Sequence, residues 1–245
     1  MRGMVLAAGR GTRLRPLTET VPKALVEVEG RPLLGILLEK LRAHGATGVV
    51  VNAHHFADRI EHFIDKISDP PGWVRISREE ALLGTGGGVR NAAPLLGGDE
   101  PVLVHNVDVL CNLPFRALAA RQEEAGSSVT LAVGGRPSTR SLAADEEDLL
   151  CGRWGEAPVR APSGSLRRVA FSGIQILAPG VVSRLPGEGA FSLIDAYLAL
   201  ASAGEPVRVF PIDDWYWAEV GTPERLDRLK ADLALRAIPI ESLAR

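Results

Sequence analysis

Positive charge and glycine alternate near the N-terminus. A short apolar run leads into Gly9-Arg10-Gly11-Thr12-Arg13-Leu14-Arg15-Pro16-Leu17-Thr18, and Pro22-Lys23 follows. Glycine has no Cβ, so the amides of Gly9 and Gly11 can lie close against a ligand. The cations of Arg10, Arg13, Arg15 and Lys23 stand beside those amides. Bare amides plus guanidinium groups at the end of a strand suit a polyphosphate. Two common phosphate loops fail on spacing. A Walker loop needs Gly-x-x-x-x-Gly-Lys-Ser/Thr, and a dinucleotide turn needs a third glycine where this chain has Leu14.

Four other stretches carry residue types that could do chemistry. Gly84-Thr85-Gly86-Gly87-Gly88 is expected to open a helix and present free N–H groups at its start. His105-Asn106-Val107-Asp108 closes an apolar run, which puts a carboxylate where α/β folds bind ligands. In Trp217-Ala218-Glu219-Val220-Gly221-Thr222-Pro223, Thr222 reads as a helix N-cap and Pro223 as the first helical residue. Phe171-Ser172-Gly173 either lines a pocket or marks a strand kink at the glycine. His54-His55 is not a metal pair, because neighbouring side chains on a regular backbone diverge. Trp215, Tyr216 and Trp217 could stack on a ligand or pack in the core.

The elements that must position these residues alternate in type. Strands are expected at Ala24 to Val28, Val49 to Val51, Trp73 to Ser77, Pro101 to His105, Ser128 to Val133, Val169 to Leu177 and Val207 to Pro211. Helices are expected from Pro32 to Gly45, along the stripe Phe56, Ile60, Phe63, Ile64 and Ile67, and from Gly84 through Leu95. Others are expected at Phe115 to Ala125, Phe191 to Ala203 and Thr222 to Arg236. Such alternation implies a three-layer α/β/α, Rossmann-like domain with a mainly parallel mixed sheet. The Gly-, Pro- and Ser-rich stretch at 134–166 reads as a flap-like excursion over the cleft of a single domain, 1–245. A net charge of −2 argues against nucleic-acid or membrane partners. The chain has two cysteines, Cys111 and Cys151, without metal-type spacing, and the first apolar run is too short for a signal peptide. A cytoplasmic location is expected.

The N-terminal pattern Gly-x-Gly-x-Arg-x-x-Pro-Leu-Thr-x-x-x-Pro-Lys resembles the sugar-phosphate nucleotidyltransferases, or NDP-sugar pyrophosphorylases. The resemblance implies transfer of a nucleotidyl group from a nucleoside triphosphate to a sugar 1-phosphate, with release of pyrophosphate. It implies catalytic roles for Arg13 and Lys23, and nucleotide contacts from Ala8, Gly9, Gly11, Thr12, Gly84, Thr85, Gly86 and Gly87. Asn106, Phe171, Ser172 and Gly173 would line the sugar pocket. Asp108 and Glu219 would hold Mg²⁺. Val107 stands where the family has glycine, and Glu219 where it has aspartate. The family's mid-chain sugar-phosphate lysine has no counterpart, since the lysines are Lys23, Lys40, Lys66 and Lys230. Arg140, Arg153 or Arg167 could replace it. Glu79, before the second glycine loop, is expected to accept a hydrogen bond from the base and favour UTP, dTTP or GTP, with the adjacent Glu80 as the alternative reader. Transfer to a non-sugar phosphate such as phosphocholine, or a non-catalytic regulatory role, are the alternatives. The oligomeric state is left open.

Overall fold

The computed structural model describes residues 1–67, 70–235 and 237–244. Its main sheet is built on β1 (Arg2–Leu6), which pairs in parallel with β4 (Gly48–Ala53) and β6 (Val102–Asn106). A small hairpin, β2 (Glu27–Val28) and β3 (Arg31–Pro32), lies off this sheet. β5 (Val74–Arg78) continues the parallel run beyond β4. On the other side, β11 (Arg167–Leu177) runs antiparallel to β6 and to β8 (Val129–Gly134), and β12 (Val207–Pro211) lies parallel to β8. The order β12-β8-β11-β6-β1-β4-β5 is therefore mixed with one reversed strand.

Period-two alternation explains why helices cover both faces. Val5, Val49, Val51 and Leu103 point to one core, against Leu34, Leu37 and Leu41 of α1 (Leu33–Ala43) and Ile60 and Ile64 of α2 (Ala57–Ile67). Met4, Val50, Val102 and Val104 point to the other. There they meet Val89 of α3 (Gly84–Asn91) and Leu96 of α4 (Ala93–Leu96). α5 (Phe115–Glu124) joins the first layer; α6 (Val181–Arg184) and α7 (Leu193–Ser202) join the second. A third cluster gathers Leu14, Leu33, Leu110 and Val220 under α8 (Pro223–Ala234) and α9 (Ile240–Leu243).

Several expected elements are corrected. Ala24 to Val28 is not one strand: Lys23–Leu25 is a single 3-10 turn before β2. The strand expected at Trp73 to Ser77 is Val74–Arg78. The helix expected from Gly84 through Leu95 breaks at Ala92, because Pro94 has no N–H and its ring crowds the carbonyl one turn back. Phe56 precedes α2 with φ 56°, and Ile67 is exposed, so the apolar stripe narrows to its centre. The end placed at Arg236 lies outside the described residues. The 134–166 stretch holds β9 (Leu142–Ala144) and β10 (Leu150–Arg153), which pair with each other; β9 also pairs with Arg167–Val169 of β11. A two-stranded sheet of β7 (Val109–Cys111) and β13 (Trp217–Glu219) is a further feature.

Candidate active site

The first glycine loop leaves β1 at the C-terminal edge of the parallel sheet. Gly11 adopts φ 65°, and a Cβ there would stand 2.9 Å from Thr18 Cγ2. Thr18 Oγ1 donates to the Gly11 carbonyl at 2.7 Å. The loop therefore folds back on Thr18, and Gly11 is glycine for conformational reasons. Gly9 differs, since a Cβ on it would meet nothing within 4 Å. Lys23, further along, forms an ion pair with Asp108.

Asp108 and Glu219 are remote in sequence and adjacent in space. β7 pairs with β13 in the register Val109–Glu219, and the Val220 N–H donates to the Asp108 carbonyl at 2.7 Å. The pairing therefore brings the backbones of the two acidic residues side by side, Asp108 opposite Val220 and Glu219 opposite Val109. Arg13 bridges to Glu219 at 3.3 Å, and Arg225 holds its other oxygen. A Cβ on Gly221 would lie 2.5 Å from Glu219 Oε1, so the carboxylate folds over that glycine. Val107 is buried and is not among the positive-φ residues, so its β-branch is no obstacle to the turn. Among the described residues no cluster of three or more acidic, histidine or cysteine ligands exists. Two carboxylates are nonetheless the donor set that suits a hard divalent ion completed by substrate phosphates and water.

The second glycine loop is more enclosed than a free helix start. Phe191 and Gly189 lie across it. Gly86 N–H donates to the Phe191 carbonyl at 2.9 Å, and a Cβ on Gly86 would meet the Phe191 ring at 2.2 Å. Gly84 and Gly87 would clash with the carbonyls of Phe191 and Gly189 at 2.6 and 2.7 Å. Thr85 accepts from Leu193 N at 2.9 Å. Glu79 is buried, and both its oxygens are engaged: Asn52 Nδ2 donates to one at 2.5 Å and Leu83 N to the other at 3.1 Å. Asn52 Oδ1 in turn accepts from Ala7 N at 2.7 Å. Glu79 and Asn52 thus tie the first loop to the second, a link that no local motif announces. His54 faces the Glu79 carbonyl at 2.9 Å and His55 packs on Phe56, so the two rings do diverge.

A cleft of about 1240 Å³ opens beside these loops. Arg13, Thr85, Asn106, Phe171, Ser172, Gly173 and Glu219, all expected at the site, line it. Ala8, Gly9, Gly11, Thr12, Lys23, Glu79, Gly84, Gly86, Gly87 and Asp108 stand outside that lining. Gly173 has φ 78° at the register shift of β11, and a Cβ there would meet Asn106 Nδ2 at 2.9 Å. The strand irregularity thus makes room for Asn106. Of the three arginines considered as lysine substitutes, Arg140 and Arg153 line the cleft, whereas Arg167 pairs with Asp148. Arg136 and Arg168 also line it and belong to no motif. Arg136 lies 3.7 Å over the Trp217 ring, with Ser172 Oγ accepting at 3.0 Å. Burial lowers its pKa, while Asp213 and Glu219 oppose that shift. A guanidinium on the indole face repels a quaternary ammonium, and Trp215 stacks on Phe210 instead. The aromatic cage that phosphocholine needs is therefore absent from these two tryptophans. Both cysteines are free and buried, and burial pushes the Cys111 thiol up to about 11. No described helix is long and apolar enough to cross a membrane.

Comparison with known proteins agrees with this geometry. The family described as nucleotidyl transferase matches residues 2–235. N-acetylmuramate alpha-1-phosphate uridylyltransferase from Caulobacter vibrioides is 35% identical over 94% of this chain and 96% of its own. A mannose-1-phosphate guanyltransferase from Candida albicans is 31% identical over 91% of this chain, which spans 62% of that relative. HddC from Yersinia pseudotuberculosis superposes with a TM-score of 0.75 at 23% identity, covering 95% of this chain and 100% of that one; this likeness concerns the fold. A match over nearly the whole chain leads to one conclusion: the protein belongs to the nucleotidyl transferase family and is a nucleotidyltransferase of the sugar-phosphate type.

Proposed function

We propose that the protein transfers a nucleoside monophosphate from a nucleoside triphosphate to a sugar 1-phosphate, giving an NDP-sugar and pyrophosphate. The observation that carries this reading is the pairing of β7 with β13. It brings the Asp108 and Glu219 backbones together, and each carboxylate already holds a cation of the first loop, Lys23 on Asp108 and Arg13 on Glu219. Opposed charges held this way are arranged for a polyanion in transit. Asp108 and Glu219 would hold Mg²⁺, and bound there it supplies charge neutralisation at the reacting phosphate and the leaving group.

The chain's own residues do the positioning. An oxygen of the sugar phosphate attacks the α-phosphorus in line, the bond to pyrophosphate breaks, and pyrophosphate leaves. No general base is needed, since a phosphate monoester with a second pKa of ~6 is mostly dianionic at neutral pH. Arg13 and Lys23 would neutralise the phosphates, and the open space over Gly9 leaves room for close approach. Asn106, Ser172 and Gly173 would receive the sugar. UTP, dTTP or GTP is the proposed donor, supported by relatives named as uridylyl- and guanyltransferases. Glu79, with both oxygens engaged within the protein, bears on that choice through the position of the loops.

The test is Mg²⁺-dependent pyrophosphate release, with each nucleoside triphosphate offered against a panel of sugar 1-phosphates. Release with UTP, dTTP or GTP and a sugar 1-phosphate is expected. Release only with phosphocholine, or none at all, would overturn the reading.

A further inference from the structure

The far side of the cleft carries more positive charge than a neutral sugar uses. Arg140, Arg153 and Arg168 all line it beside Ser138 and Thr139. They reach it from the β8–β9 connection, from β10 and from the start of β11, next to the small sheet formed by β9, β10 and Arg167–Val169. Their environments differ. Arg153 is matched by Asp195 at 2.5 Å, so its charge is answered inside the protein. Arg168 has no carboxylate partner among the described residues. Its Nε donates to Ser141 Oγ at 2.8 Å and one terminal nitrogen to the Ser138 carbonyl at 2.6 Å. These two bonds orient the guanidinium without neutralising it. The Arg140 side chain makes no hydrogen bond or ion pair with any described residue, and it is exposed.

Both arginines are exposed and hydrated, so neither requires a partner for stability; what sets them apart is that both line the cleft with no carboxylate answering them, one oriented by neutral acceptors. They suit an anion that arrives with the substrate. The reacting phosphate has other cations to meet it: Arg13 and Lys23 on the side of the first glycine loop, and Arg153 among the arginines that could replace the family's lysine, which leaves Arg140 and Arg168. A planar guanidinium pairs best with a planar carboxylate, through two parallel N–H···O bonds.

We infer that Arg140 and Arg168 form a subsite for a carboxylate on the sugar, so that the preferred acceptor is an acidic sugar 1-phosphate rather than a neutral one. This inference rests on the nucleotidyl-transfer reading above. It adds a second charge to the substrate, distant from the phosphate that reacts.

The experiment compares matched acceptors with the full chain, Mg²⁺ and the best nucleoside triphosphate. The pairs are glucuronic acid 1-phosphate against glucose 1-phosphate, and N-acetylmuramate 1-phosphate against N-acetylglucosamine 1-phosphate. In at least one pair the acidic sugar should show kcat/KM about 10- to 100-fold above its neutral partner, the scale of a charge-assisted hydrogen bond. Arg140→Gln and Arg168→Gln should each collapse that ratio towards one, and Arg168→Lys should restore part of it. Arg140 makes no internal bond, so loss of the fold cannot account for its effect. If the neutral sugars turn over as fast as the acidic ones in both pairs, the subsite is wrong while nucleotidyl transfer stands. A ratio unmoved in both glutamine variants also sinks it. Absence of pyrophosphate release with all four acceptors removes the transfer reading and this inference together.

Discussion

At the scale of single residues, the site depends on opposite charges that stand ready before substrate arrives. Lys23 and Asp108 are mostly buried and neutralise each other in the free protein. Lys23→Ala leaves Asp108 without this cation and, in the role proposed for the lysine, removes a positive charge from the transferring phosphates. Turnover should fall by about two to three orders of magnitude, the usual scale for a preorganised charge. The measurement is kcat at saturating Mg²⁺ and nucleotide, and near-normal turnover would count against the assignment. Gly221 gives a sharper test of the second carboxylate. A methyl group there would stand 2.5 Å from Glu219 Oε1 and 3.3 Å from the Arg13 guanidinium. The φ of Gly221 is not positive, so alanine fits the backbone, and only the Glu219 side chain must yield. Gly221→Ala should raise the Mg²⁺ concentration for half-maximal activity several-fold with little change in thermal stability. An unchanged Mg²⁺ requirement would separate Glu219 from the ion.

At the scale of elements, helix α3 begins with glycines because another segment lies on it. The ring of Phe191 occupies the space that a Gly86 side chain would need. Gly86→Ala should destabilise the protein by about 1–3 kcal/mol through overpacking. Trimming the ring with Phe191→Leu should recover part of that loss in a double-mutant cycle, read by urea unfolding. Strict additivity would mean that the two do not pack as described. The same example explains what sequence could reveal. Motifs written in consecutive residues were readable: the first glycine loop, Asn106 to Asp108, and Thr222 as an N-cap that accepts from Arg225 N. So were strands whose alternate residues feed two cores, such as Met4 and Val5. What was not readable depends on residues far apart in the chain. Nothing local predicts that β7 pairs with β13, that Arg136 lies on Trp217, or that Asn52 joins Ala7 to Glu79. Glu79 shows the consequence: it was expected to accept from the base, and the donors it meets belong to the protein.

At the scale of the whole molecule, the centre of the sheet carries a titratable group that links stability to pH. His105 lies on β6, fully enclosed, at 5.4 Å from the Phe115 ring in an edge-on arrangement. Its Nδ1 faces the Asn106 carbonyl at 2.8 Å, and its Nε2 has no hydrogen-bond partner among the described residues. Burial lowers its pKa to about 4, the Asn106 carbonyl opposes the shift, Lys40 adds to it and Asp108 works against it. The neutral ring is thus the native form. In the unfolded chain the same ring protonates near 6.5. As pH falls below that value the unfolded state gains a proton that the folded state refuses, so stability declines until the folded group titrates near 4. The stability that this histidine contributes is complete above pH 6.5 and lost progressively between 6.5 and 4, with a loss on the order of 3 kcal/mol. Urea unfolding across that range should show the decline, and His105→Leu should flatten it, whatever the variant does to stability at neutral pH. An equal slope in both proteins would mean that the carboxylates alone govern acid unfolding. The strand that carries this ring ends at Asn106, which lines the cleft, and Asp108 follows two residues later. In the folded protein that ring takes up its proton only near pH 4, at the lower end of the interval. Between 6.5 and 4 His105 therefore acts on stability and not on the chemistry of the folded site, so the pH profile of kcat for folded protein should be the same in His105→Leu as in the parent while their urea-unfolding profiles differ; a kcat profile changed over that range would mean that the folded ring titrates higher.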